Sequence, residues 1–260
     1  MSQSFEYRPV DMAAPDFLDR LKQDGFGLIR GFFSEADLKP LWNDVRNLAG
    51  AFAGANAVEL EEVTDSEVDR LLVSFLKQKP ELQGTLYDRL QQTPANLATP
   101  DHTKFRDLAR KLFGADVYGI WPRMQVRLDL YQDKKNVIEW HHDYLYNQGT
   151  KSSWTAWMPL VDITEGMGLL RIAPGSHLVE RPFKFTKTGG ANRFDYTLDS
   201  ATVESLDLVS PDHYKAGDLV LFHSLVIHTG AENRTQDRAR VVQLFRMQNL
   251  KDLEAFESEV

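Results

Sequence analysis

Apolar and polar positions divide the chain into a helical first part and a strand-rich remainder. Pro15-Asp16-Phe17-Leu18-Asp19-Arg20-Leu21 spaces apolar residues three and four apart behind a good helix start, so a helix is predicted there, stopped by Gly25 and Gly27. Gly27-Leu28-Ile29-Arg30-Gly31-Phe32-Phe33 reads as a short strand. In Ser34-Glu35-Ala36-Asp37 a hydroxyl precedes an acid by three residues, a capping-box-like start for a helix running towards Asn47. From Asp65 to Gly114 the helical period persists, first with Val68, Leu71, Leu72, Phe75 and Leu76 on one face. Leu82, Leu86 and Leu90 continue it, then Phe105, Leu108 and Leu112, while Pro80, Pro94 and Pro100 break it into pieces.

Beyond Val117 short apolar or alternating runs between turn residues predict the strands of a sandwich or barrel. They are Val126 to Tyr131, Trp154 to Leu160, Leu169 to Ala173, Leu219 to Ile227 and Arg240 to Phe245. The stretch from Arg181 to Ala216 is rich in Gly, Asn, Asp and Ser and reads as a loop-like insertion, of a length suited to covering an active site. We expect a single catalytic domain over 1–260, helical over about 1–115, with its strand core over about 116–248 and the insertion over about 181–216.

Composition narrows the chemistry. With 260 residues and 42% hydrophobic content, the chain can bury one large core. A formal charge of −8 and the lack of a long basic block argue against a nucleic-acid or anionic-membrane surface. The absence of cysteine excludes disulfides, Cys-based zinc sites and thiol catalysis, so any metal takes N and O ligands. Met1 to Arg8 contains no apolar signal core, and no segment approaches the run of about 18 apolar residues that spans a bilayer. These features make a soluble cytoplasmic protein the expectation; oligomeric state is not readable from the pattern.

The chemistry concentrates in Trp140-His141-His142-Asp143 and, far downstream, in His223 and His228. A His, a carboxylate two residues on and a distant second His are the parts of a facial triad, the usual holder of non-haem Fe(II). In extended chain, positions i and i+2 share a face, so His141 and Asp143 form the chelating pair and His142 points away. His223 and His228, five apart, fall on opposite faces of a regular strand. We choose His228, which precedes Thr229-Gly230 at a strand end, over His223, which lies within an apolar run. Upstream, Gln125, Arg127 and Asp129 share one face, a pattern that suits either a pocket or solvent, and Arg127 is a candidate contact for an anionic substrate or co-substrate.

Trp140-His141-His142-Asp143-Tyr144, Trp154-Thr155-Ala156, Pro174-Gly175-Ser176-His177, and Gly217-Asp218 through His228 to Asn233 resemble the phytanoyl-CoA dioxygenase family of Fe(II)/2-oxoglutarate oxygenases in order and approximate spacing. Asp24 to Phe33 is similar to that family's opening, whereas Gly50 to Gly114 adds little. The resemblance implies a mainly β fold, a double-stranded β-helix (jelly roll, cupin-like) with N-terminal and inserted helices packed on one sheet. It implies His141, Asp143 and His228 as iron ligands and Trp154 as a wall of the 2-oxoglutarate pocket. It also implies an Arg for the far carboxylate shortly after the distal His. The usual spacing falls on Ala239; we prefer Arg240, which opens a strand, with Arg238 in reserve. Gly230 stands where the family often carries Ser, and Thr229 is a candidate substitute.

The same resemblance implies Fe(II), 2-oxoglutarate and O2 as the reacting set, with succinate and CO2 released and an unactivated C–H bond hydroxylated. Related halogenases have a small residue in place of the carboxylate, so Asp143 favours hydroxylation, although desaturation or ring formation uses the same centre. No phosphate-cradling loop marks a CoA site, and a small polar or amphipathic metabolite is the working substrate class. A non-catalytic ligand-binding jelly roll and a cupin-like metal enzyme independent of 2-oxoglutarate are the competing readings.

Overall fold

Glycine, proline and one capping pair set the helix boundaries. The computed structural model describes residues 9–53, 68–115, 117–133, 138–146, 149–179, 183–187 and 196–252, so Asp65 and Arg181, the starts of two sequence-predicted stretches, lie outside the described residues. Helix α1 (Phe17–Asp24) ends where Gly25, at φ 74°, returns its N–H to the Leu21 carbonyl. A side chain there would also collide with His177 and Val226. After strand β1 (Phe26–Ile29), the Ser34 N–H donates to Asp37 and the Asp37 N–H to the Ser34 hydroxyl, the reciprocal capping expected from the sequence. Helix α2 (Glu35–Ala53) runs past Asn47 because Leu48, Ala49 and Phe52 extend its packing face. Then come α3 (Val68–Gln78), α4 (Gln83–Leu90), α5 (Pro94–Ala98) and α6 (Thr103–Phe113). Pro94 sits in the first turn of α5, and Pro80 and Pro100 fall in the 3-10 turns between helices.

The remaining strands are β2 (Gly119–Asp129), β3 (Trp154–Pro159), β4 (Ile163–Thr164), β5 (Leu170–Ile172), β6 (Phe185–Lys187), β7 (Tyr196–Leu198), β8 (His213–Tyr214), β9 (Leu219–His223), β10 (His228–Gly230) and β11 (Arg240–Gln248). A short helix α7 (Ser200–Glu204) lies in the loop-rich stretch, which therefore carries β6, β7, α7 and β8 rather than loop alone. Five strands form an antiparallel sheet in the order β1-β9-β3-β11-β2, and β10 pairs with β5 in a smaller one.

Strand parity assigns the two faces of the large sheet. On β11, Gln243 reaches Asn96 of α5 and Phe245 packs edge-on against Phe105 of α6, so odd positions meet the helices. Even positions Arg240, Val242, Leu244 and Arg246 line a cavity on the other face, bounded across from them by Leu170 of β5 and by His228 and Gly230 of β10. This is a jelly roll with its helices against the larger sheet; among the described residues the strands do not close into a barrel.

One strand expectation needs correction. Leu219 to Ile227 is not continuous: β9 stops at His223, the chain turns, and β10 restarts at His228 in the other sheet. The corner is held by the Ser224 N–H on the Ser153 carbonyl and the Ile227 N–H on the Ser176 hydroxyl. That change of sheet, rather than parity along one strand, separates His223 from His228.

Candidate metal centre

His141 and His228 meet because their backbones pair. The His141 N–H donates to the His228 carbonyl at 3.1 Å and the His228 N–H to the His141 carbonyl at 2.9 Å, an isolated antiparallel bridge. His142 is extended (φ −115°, ψ 149°), so Asp143, two residues on, returns to the face of His141 before a 3-10 turn begins. One ligand atom from each of His141, Asp143 and His228 lies within 4.8 Å of the other two, and all three residues are buried. Asp143 Oδ1 stands 3.9 Å from each Nε2.

Each imidazole is oriented by its own backbone. His141 Nδ1 lies 2.6 Å from the Glu139 carbonyl, and His228 Nδ1 lies 2.9 Å from the Val226 carbonyl. A carbonyl only accepts, so both Nδ1 atoms carry the proton and both Nε2 lone pairs face the cluster. Burial pushes both rings below the ordinary histidine range, which keeps them neutral and able to bind a metal. Burial alone would raise the Asp143 carboxyl, but the Arg246 guanidinium, charged and hydrogen-bonded to it, overcomes this and holds the group below the usual carboxylate range. Two neutral nitrogens and one carboxylate oxygen, converging from one side, fit a divalent metal of facial-triad type.

Asp143 is gripped on both oxygens. Arg246 donates from Nε to Oδ2 and from Nη2 to Oδ1, and the Thr155 hydroxyl also donates to Oδ2. Neither Arg246 nor Thr155 is among the ligands that the sequence suggests. The signal was parity: Arg246 shares the face of Arg240, but the predicted strand stopped at Phe245, one residue short.

The cavity extends from these ligands to a second cationic end. Arg240 Nε donates to Asp129 Oδ2 at 2.9 Å, and its Nη1 donates to the carbonyls of Gly168 at 2.5 Å and Ala231 at 2.8 Å. Its Nη2 would lie 3.4 Å from a Cβ at Gly230, so the glycine leaves room beside the guanidinium. Arg127 donates to Asp129 Oδ1 at 3.1 Å, which makes Asp129 a shared anion between two arginines. Burial would raise the Asp129 carboxyl, and these two cations instead lower it. Gln125, Arg127 and Asp129 thus face the pocket rather than solvent.

Other residues named from sequence lie elsewhere. Trp154 projects from the face of β3 opposite Thr155 and Trp157, with its ring edge-on to His223; Trp157 is the tryptophan that lines the cavity. Thr229 turns its hydroxyl to the Ile138 carbonyl and leaves the wall to Gly230. Arg238 is committed to an ion pair with the buried Asp69 of α3, so Arg240 is the arginine that the β11 register delivers to the cavity. His142 points away as expected, accepting from the Leu145 N–H and meeting the edge of Phe185.

The family model for phytanoyl-CoA dioxygenase matches residues 21–241. The chain belongs to this family. The 1-deoxypentalenic acid 11-beta-hydroxylase of Streptomyces arenae is 27% identical to this chain over 238 residues, covering 80% of this chain and 82% of the relative. The fold is similar to that of EctD from S. alaskensis, solved with bound Fe, at a TM-score of 0.61 and 16% identity, over 96% of this chain and 83% of that one. It is also similar to the non-heme alpha ketoglutarate dependent carbocyclase SnoK, at a TM-score of 0.61 and 16% identity, over 93% and 87% of the two chains. No helix among the described residues is long and apolar enough to cross a membrane.

Proposed function

We propose that this member of the phytanoyl-CoA dioxygenase family is an Fe(II)- and 2-oxoglutarate-dependent dioxygenase that hydroxylates a C–H bond of a small metabolite. The observation that carries the reading is the joint placement of the His141, Asp143 and His228 ligand atoms and the Arg240 guanidinium on one cavity. Iron(II), 2-oxoglutarate and O2 together supply the oxidising power, with release of succinate and CO2.

The protein's own residues divide the remaining work. His141, Asp143 and His228 hold the metal from one side and leave its other positions to the cavity. Arg240 receives the far carboxylate of the co-substrate. Gly230, two residues along the strand from His228, leaves room for that carboxylate beside the guanidinium. Asp129 orients Arg240 and Arg127 together, and Arg127 adds a second positive charge beside the co-substrate. Apolar walls from Val242, Leu244, Trp157 and Phe222 keep bulk water from the reacting centre. Hydroxylation is supported by the activity named for the 27%-identical relative, and the carboxylate at Asp143 counts against halogenation.

The test is iron-dependent conversion of 2-oxoglutarate to succinate by the full chain, with His141→Ala and Asp143→Ala as controls. Conversion by the wild type and its loss in both variants is expected; turnover retained in either variant overturns the assignment.

A further inference from the structure

We infer that the primary substrate is an organic monoanion of the carboxylate class, received by Arg246 at the end of the cavity away from Arg240. This inference rests on the iron and 2-oxoglutarate reading and extends it to the substrate.

Charge carries the argument. The cavity wall presents three guanidinium groups, Arg127, Arg240 and Arg246, against two carboxylates, Asp129 and Asp143, while His141 and His228 each donate Nδ1–H to a backbone carbonyl and turn the bare Nε2 of a neutral ring to the cluster. Among the described residues the wall alone therefore has one positive charge in excess. A divalent metal adds two positive charges and the 2-oxoglutarate dianion removes two, so the loaded cavity keeps the same excess. An uncompensated charge in a buried site is costly, and a ligand bringing one negative charge removes that cost.

Position identifies the cation that such a ligand meets. Arg127 and Arg240 share Asp129 at the co-substrate end. Arg246 lies six residues further along β11, roughly 20 Å of strand, and is paired across the sheet with Thr155. Its Nε and Nη2 are used on Asp143, and its Nη1 makes no hydrogen bond among the described residues. When Asp143 shares its charge with a metal, Arg246 loses much of its counter-ion while remaining only 8% exposed. A substrate carboxylate on Nη1 restores the balance beside the metal ligands. Ile138, Tyr146 and Leu244 add apolar surface to the same cavity, which suits an acid with a hydrocarbon body.

The experiment is calorimetric titration of sodium octanoate, and separately of 1-octanol, into the anaerobic Fe(II)–2-oxoglutarate complex of the full chain. Wild type, Arg246→Lys and Arg246→Met are compared, and each protein's Fe(II)–2-oxoglutarate absorption is recorded first. Octanoate is expected to bind the wild type at least tenfold more tightly than octanol does. Arg246→Lys retains that preference and Arg246→Met loses it. Absence of octanoate binding, equal binding of acid and alcohol to the wild type, or an undiminished preference in Arg246→Met overturns the inference. A missing absorption band in the wild type instead counts against the iron reading, so the two failures are distinct. The wild-type comparison stands even if a variant does not fold.

Discussion

Arg246 donates two hydrogen bonds to Asp143, from Nε to Oδ2 at 3.2 Å and from Nη2 to Oδ1 at 3.0 Å, and so fixes the plane of the carboxylate between the two histidines. Thr155 completes the grip on Oδ2. Because Oδ1 is the oxygen 3.9 Å from both Nε2 atoms, the grip on Oδ2 turns Oδ1 towards the metal position.

Thr155→Val keeps the shape of the side chain and removes its hydroxyl. Residues that orient a metal ligand contribute about 10–100-fold to affinity. We predict that Co(II) binds Thr155→Val about tenfold more weakly than wild type, measured by anaerobic titration, with far-UV circular dichroism unchanged. Equal affinity would show that Arg246 alone orients Asp143.

The metal-binding histidines are neutral before metal arrives. Metal capture competes with protons only where the ligands are protonated, and burial places both rings below the ordinary histidine range. Between pH 6.5 and 8, then, metal binding should release fewer protons from His141 and His228 than two ordinary histidines would. Calorimetry in buffers of different ionisation enthalpy measures this directly, and release near one proton per metal at pH 6.5, which two ordinary histidines would give, would contradict it.

His223 makes a different prediction, for stability. Burial lowers its pKa to about 4, against about 6.5 in an unfolded chain. Above the unfolded value neither state is protonated, and the folded state keeps its full advantage. As pH falls from 6.5 towards 4 the unfolded chain takes up a proton that folded His223 refuses, so stability declines. His223→Gln, which does not titrate, should show a smaller drop in Tm between pH 6.5 and 4.5 than wild type. An identical drop would mean that His223 is not held neutral.

Two glycines shape the Arg240 end. Gly168 has φ 82°, and a Cβ there would come within 2.2 Å of the Ala231 carbonyl, a backbone atom with little freedom to move. Since the Gly168 and Ala231 carbonyls both accept from Arg240, Gly168→Ala should destabilise the fold by about 1–3 kcal/mol in chemical denaturation. Gly230→Val, which crowds Nη2, should raise the half-saturating 2-oxoglutarate concentration at least tenfold and leave metal affinity unchanged. Unchanged half-saturation would place the co-substrate carboxylate elsewhere.

Much of this centre is legible in the sequence. The i, i+2 relation of His141 and Asp143 survives although Asp143 opens a 3-10 turn, because extended backbone at His142 is sufficient to preserve parity. The common face of Gln125, Arg127 and Asp129 follows from the same rule. What sequence could not supply was long-range pairing. Nothing near residue 238 announces that Arg238 is taken by Asp69, 169 positions away, which leaves Arg240 to the cavity. Nor does a local pattern reveal that β11 continues through Arg246 and aims that side chain at Asp143. Trp154 illustrates the limit of resemblance: the strand was correctly placed, but its parity puts Trp157 on the cavity.

The most direct measurement is the visible absorption of the anaerobic protein with Fe(II) and 2-oxoglutarate, recorded for wild type and Arg240→Ala. Wild type should develop a metal-to-ligand charge-transfer band. At the same co-substrate concentration the band should be strongly reduced in Arg240→Ala, with iron still bound. A wild-type protein that binds one iron but develops no such band on saturation with 2-oxoglutarate would contradict the iron and 2-oxoglutarate reading.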